Sequence, residues 1–123
     1  MDPKLLAIFI AVDVIVVAFV LFKVLGPVSE AKAKELLKAG AKIIDVRSLA
    51  EFNSGHLHAA VNIPYDEVGQ RIESVVPDKA TPVLVHCLSG GRSAIAKGAL
   101  RRKGYTQAHN LGSLNRAKRI VES

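Results

Sequence analysis

The block Leu5–Phe22, LLAIFIAVDVIVVAFVLF, constrains this chain more than any other stretch, because its eighteen residues carry a single charge, Asp13. As a helix rising about 1.5 Å per residue it covers about 27 Å, close to the ~30 Å hydrocarbon core of a bilayer. Val24 and Leu25 extend it beyond Lys23, whose stem can lie along apolar surface while its ammonium stays in water. A helix apolar on every face needs lipid or a protein large enough to surround it. With 123 residues the chain has room for one small domain and an appendage, so a buried core helix is the weaker reading. A cleaved signal is the other alternative, since Lys4 precedes the block and EAKA at Glu30–Ala33 offers a small-residue site. Signal cores run about 7–15 residues, however, and that site lies well past the apolar end. The sequence therefore predicts a membrane anchor over residues 1–25, touching lipid through Leu5–Leu25, and a separate domain over residues 26–123. Asp13 costs about 2.5–3.5 kcal/mol near the span centre, which its apolar neighbours offset whether it stays a neutral carboxyl or meets a partner helix.

Only Lys4 precedes the span, whereas Lys23, Lys32, Lys34, Lys38 and Lys42 follow it within twenty residues. The positive-inside rule then gives a single-pass inner-membrane protein with a cytoplasmic domain, the alternative being a periplasmic domain after signal cleavage. The net charge of +6 is densest at Lys97, Arg101, Arg102, Lys103, Arg116, Lys118 and Arg119. Beside a membrane, attraction to anionic lipid at about 1 kcal/mol per basic residue accounts for it, as does a solvated helix face. No aromatic–basic interleaving accompanies it, which argues against nucleic acid as a partner. One cysteine excludes an internal disulfide and fits a reducing compartment.

Beyond the linker, strand-length and helical patterns alternate. Ser29 is a fitting N-cap for a helix with Ala33, Leu36 and Leu37 on its apolar stripe and Gly40 at its end. Ala41–Val46 reads as a strand, Ser48–Gly55 as one or two helical turns, Ala59–Pro64 as a second strand and Asp66–Pro77 as a helix through Val68, Ile72 and Val75–Val76. Pro82–Cys87 is a continuous apolar run, as in a strand buried on both faces. Ser93–Gly104 follows as a helix with Ala94, Ile95, Ala99 and Leu100 inside, then Tyr105–Leu111 as a strand and Ser113–Glu122 as a closing helix. Such alternation predicts an α/β fold, a small parallel sheet flanked by helices, with its ligand site beyond the carboxyl ends of the strands.

Cys87 is predicted at one of those ends, as the last residue of the central strand. The loop Cys87-Leu88-Ser89-Gly90-Gly91-Arg92-Ser93 joins that strand to a helix. Gly90 and Gly91 let the backbone curl into a concave nest of N–H groups, the helix adds the positive end of its dipole, and Arg92 supplies a planar cation. All three favour thiolate over thiol, making Cys87 a candidate nucleophile rather than the inert buried cysteine it would otherwise be.

The stretch IIDVRSLAEFNSGHLHAAVNIP (Ile43–Pro64) and the loop CLSGGRS (Cys87–Ser93) together resemble the single-domain rhodaneses, or sulfurtransferases. The first is similar to the family's Asp-Val-Arg, Glu-Phe, Gly-His and Asn-Ile-Pro signature, the second to its C-x-x-G-x-R-S loop, and the resemblance covers about Val28–Gly112. It implies a persulfide on Cys87, taken from a sulfane donor such as thiosulfate and passed to a thiol or another thiophilic acceptor such as cyanide. It also implies that the amides of Leu88, Ser89, Gly90, Gly91, Arg92 and Ser93 cradle the sulfur anion and that Arg92 helps hold thiosulfate. A cysteine phosphatase or arsenate reductase is the nearest enzymatic alternative, but phosphatases place five residues between cysteine and arginine, where this chain has four. A membrane-tethered recruiting module with a vestigial site is the alternative of another class; Cys87, Gly90 and Arg92 standing together argue against it.

Asp45, Arg47 and Glu51 are candidates for an ion-pair network beside the loop, either supporting Cys87 or bracing the strand–helix turn. His56, His58 and His86 match no zinc spacing, and His86 should point away from Cys87, so this reading calls for no metal and no cofactor. In one respect the chain departs from the family: Gly112-Ser113 replaces a Gly-Gly pair and no tryptophan follows to pack the last helix.

Overall fold

The computed structural model describes residues 1–122; Ser123 and the side chains of Lys23, Val24 and Leu25, on which the expected extension of the span rests, lie outside the described residues. Helix α1 (Pro3–Leu25) starts where the Asp2 carboxylate accepts the Lys4 N–H at 3.0 Å, with proline at its first position. Its described side chains are all exposed, and it is long and apolar enough to cross a membrane.

The rest of the chain forms α2 (Glu30–Lys38), β1 (Lys42–Asp45), α3 (Leu49–Asn53), β2 (Ala60–Asn62), α4 (Val68–Val75), β3 (Val83–His86), α5 (Gly91–Arg102), β4 (Ala108–Gly112) and α6 (Leu114–Val121). The four strands pair in parallel in the order β2-β1-β3-β4, the α/β sheet that the alternation predicts. Period-two alternation splits each inner strand between two cores. Ile44, Val83 and Val85 pack under α4 and α5 with Val68, Ile72, Ala96 and Leu100. Ile43, Leu84 and Leu111 pack under α2 and α6 with Ala33, Leu36, Ala117 and Ile120. Each buried aliphatic side chain contributes about 1.5–3 kcal/mol, so the sheet is held from both faces.

Local chemistry follows the sequence closely at α2, where Ser29 accepts the Lys32 N–H at 3.2 Å and Gly40 closes the helix at φ +91°. Two assignments change. Ile95, expected inside, is exposed, and Ser93, Ala96 and Leu100 form the buried stripe of α5. Tyr105, expected in the last strand, precedes it and is fully buried, its hydroxyl donating to the Val76 carbonyl at 2.6 Å. That bond closes the end of α4, the place where a buried phenol finds its partner.

The linker is fastened to the sheet. Val28 N–H donates to the Asn110 carbonyl at 2.8 Å, and the Arg116 guanidinium donates to the carbonyls of both Val28 and Leu111. Helix α5 runs back along β3, so its basic end lies at the opposite pole: Arg101 Nε reaches the Ala108 carbonyl at 2.9 Å and Lys103 lies 3.9 Å from Glu73. Of the basic cluster, Arg101, Arg102 and Lys103 therefore lie far from the point where the linker enters, whereas Arg116 holds that point.

Candidate functional site

Strand β3 ends at His86, so Cys87 opens the loop instead of closing the strand. A register shift against β4 between Val85 and His86 sets His86 opposite Gly112, and Cys87 N–H donates to the Gly112 carbonyl at 3.2 Å. Helix α5 starts at Gly91, two residues before the expected Ser93, which makes Gly91 and Arg92 its first turn. Of the two glycines only Gly90 has a positive φ, +102°, where a side chain would be strained.

This turn brings the thiol to the N-terminus of α5. Gly90 N–H donates to Sγ at 3.0 Å, and Ser93 Oγ lies 3.4 Å from Sγ and 3.0 Å from the Gly90 carbonyl. Ser93 has one proton to give, to Gly90 O or to sulfur. Burial pushes the Cys87 thiol up, but the Ser93 hydroxyl and the N–H groups of Ser93, Gly90 and Ser89 outweigh it, and the net result lies below the ordinary cysteine value. Cys87 is 1% exposed, so its sulfur is screened from bulk thiols.

Arg92 does not reach freely over the loop. Its guanidinium grips Glu51 through two bonds, at 2.6 and 3.0 Å. Glu51 also closes a capping box with Ser48 at the start of α3. The Arg92 hydrogen bonds hold the Glu51 carboxyl at about 2. Thus α3 and α5 are joined across the site mouth by a half-buried pair. Attraction to Cys87 adds to that of Glu51 in holding the Arg92 guanidinium above its ordinary value.

The expected Asp45–Arg47–Glu51 network is split in two. Asp45 alternates to the face of Ile43, away from Cys87, and there its carboxylate takes the Arg47 backbone N–H and guanidinium at 2.7–3.0 Å. Arg47 spans further to the Gly55 carbonyl at 2.8 Å. Only Glu51 reaches the loop, through Arg92. His86, in register with Asp45, is fully buried and neutral, pushed down by burial. His56 stacks on Phe52 and contacts the Phe52 carbonyl at 2.8 Å. Among the described residues no three His, Cys, Asp or Glu side chains converge as a metal-holding group.

Sequence reasoning missed Asn110. Its amide donates to the Gly90 carbonyl at 3.3 Å and its Oδ1 accepts the Gly112 N–H at 2.9 Å, tying the loop to β4. A lone amide side chain inside an apolar strand was the available signal. Where the family's pattern has Gly-Gly and a later tryptophan, Ser113 accepts the Arg116 N–H at 3.1 Å and so caps α6, and Arg116 donates to the Leu111 carbonyl at 2.7 Å.

Gly90→Ala is expected to lower stability by about 1–2 kcal/mol, the cost of a side chain in left-handed backbone. Gly91→Ala, in helical backbone with open space around it, should be neutral or slightly stabilising. Urea midpoints of the two variants distinguish the roles of these glycines.

The rhodanese-like domain family matches residues 29–117. The chain is 44% identical over 71 residues to thiosulfate sulfurtransferase PspE of Escherichia coli, covering 58% of this chain and 68% of that one. It is 36% identical over 94 residues to chloroplastic thiosulfate sulfurtransferase 16 of Arabidopsis thaliana, covering 68% and 78%. Among solved structures, a rhodanese with anions from E. coli superposes with a TM-score of 0.60 at 41% identity, over 62% of this chain and 89% of that one.

Proposed function

The chain belongs to the rhodanese-like domain family, and from that premise we propose that it is a thiosulfate-type sulfurtransferase, anchored in a membrane by residues 1–25 and carrying sulfur as a persulfide on Cys87 within the domain of residues 26–123. The observation that carries this reading is the sulfur cradle: Sγ of Cys87 at the start of α5, 3.0 Å from the Gly90 N–H and 3.4 Å from Ser93 Oγ. Amides aimed at one point stabilise whichever anion sits there, first thiolate and then persulfide.

In the first half-reaction the Cys87 thiolate attacks the outer sulfur of thiosulfate. A new S–S bond forms, the old one breaks, and sulfite leaves with its electron pair. In the second, an acceptor thiolate or cyanide attacks the outer sulfur of the persulfide, and Cys87 departs as thiolate. No external oxidant or reductant is consumed, and the exchange is the persulfide counterpart of thiol–disulfide exchange. For the dianionic donor, the positive end of α5 and Arg92 supply the favourable field, Arg92 sharing its charge with Glu51. The amides of Leu88, Ser89, Gly91 and Arg92 complete the ring around the incoming sulfur.

The helix α1 supports the anchor through its length and its exposed apolar surface on every side. The cytoplasmic placement of the domain rests on the lysines that follow the span. The full chain incubated with thiosulfate and cyanide is expected to release thiocyanate and to leave an aryl phosphate intact. Hydrolysis of the aryl phosphate without thiocyanate would replace this reading with phosphatase chemistry; neither product, with retained partner binding, would favour a recruiting module.

A further inference from the structure

The linker and the cradle meet at the same end of the sheet. Gly26 and Pro27 alone separate α1 from Val28, so at 3.8 Å per Cα step Leu25 lies within about 11 Å of Val28. Val28 is no free tether, being held by Asn110 and by Arg116. Pro27 Cβ lies 3.5 Å from where a Cβ on Gly112 would stand, and Gly112 is the residue that accepts the Cys87 N–H. Successive steps from Leu25 through Pro27 and Gly112 put Cys87 within about 20 Å of the end of α1. A domain of this size has a radius of gyration of about 13 Å and is over 30 Å across, so Cys87 lies on the pole nearest to α1.

The two poles differ in surface. Past the carboxyl ends of β1, β2 and β3 come Leu49, Tyr65 and Leu88, each exposed. These are three of the six large apolar side chains exposed among the described residues outside α1, the others being Met1, Val61 and Ile95. The opposite pole presents Lys42, Asp78, Lys79 and Lys103, all exposed. The near pole thus carries two leucines and a tyrosine, beside the exposed Asp66 and Glu67, and exposed leucines with a tyrosine suit a surface apposed to lipid headgroups, where tyrosine in particular is enriched.

We infer that the mouth of the Cys87 site is a bilayer-docking surface: the short, stapled linker holds the pole bearing Leu49, Tyr65 and Leu88 against the lipid interface, with the loop that covers the buried thiol turned toward the headgroup layer. This rests on α1 being a membrane span, and the test separates the two claims. The chain contains no tryptophan, so single-tryptophan variants of the full chain give unmixed fluorescence. Leu88→Trp, Tyr65→Trp, Lys79→Trp and Phe9→Trp are reconstituted into phosphatidylethanolamine–phosphatidylglycerol vesicles, with and without lipids brominated near the headgroup. The indoles of Leu88→Trp and Tyr65→Trp should be blue-shifted and quenched several-fold more than that of Lys79→Trp. If both match Lys79→Trp while Phe9→Trp is quenched, the docking surface is overturned and the span stands. An unquenched Phe9→Trp overturns the span and the docking surface together.

Discussion

Cys87→Ser is expected to reduce sulfur transfer from thiosulfate by about a thousandfold or more, the scale on which removing an enzyme's nucleophile acts. Serine fits the space and can take the Gly90 N–H that now meets Sγ at 3.0 Å, so the fold should survive. What disappears is the polarisable sulfur. A hydroxyl at neutral pH is almost wholly protonated, and it forms no persulfide that an acceptor could open. The Ser93 hydroxyl and the N–H groups of Ser93, Gly90 and Ser89, which hold the Cys87 thiol below its ordinary value, would then stabilise nothing that reacts. Initial rates of thiocyanate release, with a urea melt to show that stability changes by less than about 1 kcal/mol, check this result. Transfer at the native rate in Cys87→Ser would remove the cysteine from the mechanism.

Asp45→Ala is expected to have the largest effect on stability. The Asp45 carboxylate is fully buried and accepts the Arg47 backbone N–H and guanidinium, with the closest contact 2.7 Å. Removing it leaves the Arg47 cation buried without its counter-charge, a change that costs about 3–5 kcal/mol. Against a total of about 5–15 kcal/mol for a domain this size, that should lower the melting temperature by roughly 15 °C or more. Arg47→Met alone should destabilise as well, whereas the double variant Asp45→Leu/Arg47→Met should recover much of the loss, because neither charge is then stranded. Additive losses in the double variant would show that the pair is not the unit of stability. Transfer chemistry should follow folding here, since Asp45 lies on the face of the sheet away from Cys87.

The fold was legible because the chain states its periods clearly. The run PVLVHC declares a strand buried on both faces, and the structure divides it between two cores. Ser29 and Gly40 mark the ends of α2 by their chemistry alone. Reading was weaker where tertiary contacts overrule local pattern. Ile95 has the spacing of a core residue, but the face of α5 that is buried carries Ser93, Ala96 and Leu100 instead. Tyr105 has strand propensity, yet its hydroxyl is claimed by the Val76 carbonyl and holds it outside β4.

At the site, residue types and spacing pointed to Cys87 and its loop, because an anion nest requires glycine at a positive φ and a helix to follow, and the structure has both at Gly90 and α5. They could not show which partner Arg92 takes. The Glu51 carboxylate that engages it lies 41 residues away in the chain, a pairing that only the crossing of α3 and α5 creates. Asn110 showed only as a lone amide in an apolar strand, since its role depends on the register of β4 against β3. The linker clamp from Arg116 to Val28 spans 88 residues and likewise emerges only from packing.

Whether Cys87 carries sulfur is read from the intact mass of the purified chain after incubation with thiosulfate. The chain has one cysteine, so a persulfide adds the mass of a single sulfur atom, about 32 Da, at one site. The native chain should gain that adduct and lose it on adding cyanide, and Cys87→Ser should never show it. An unmodified mass for the native chain, or the same adduct on Cys87→Ser, would contradict sulfur carriage by Cys87.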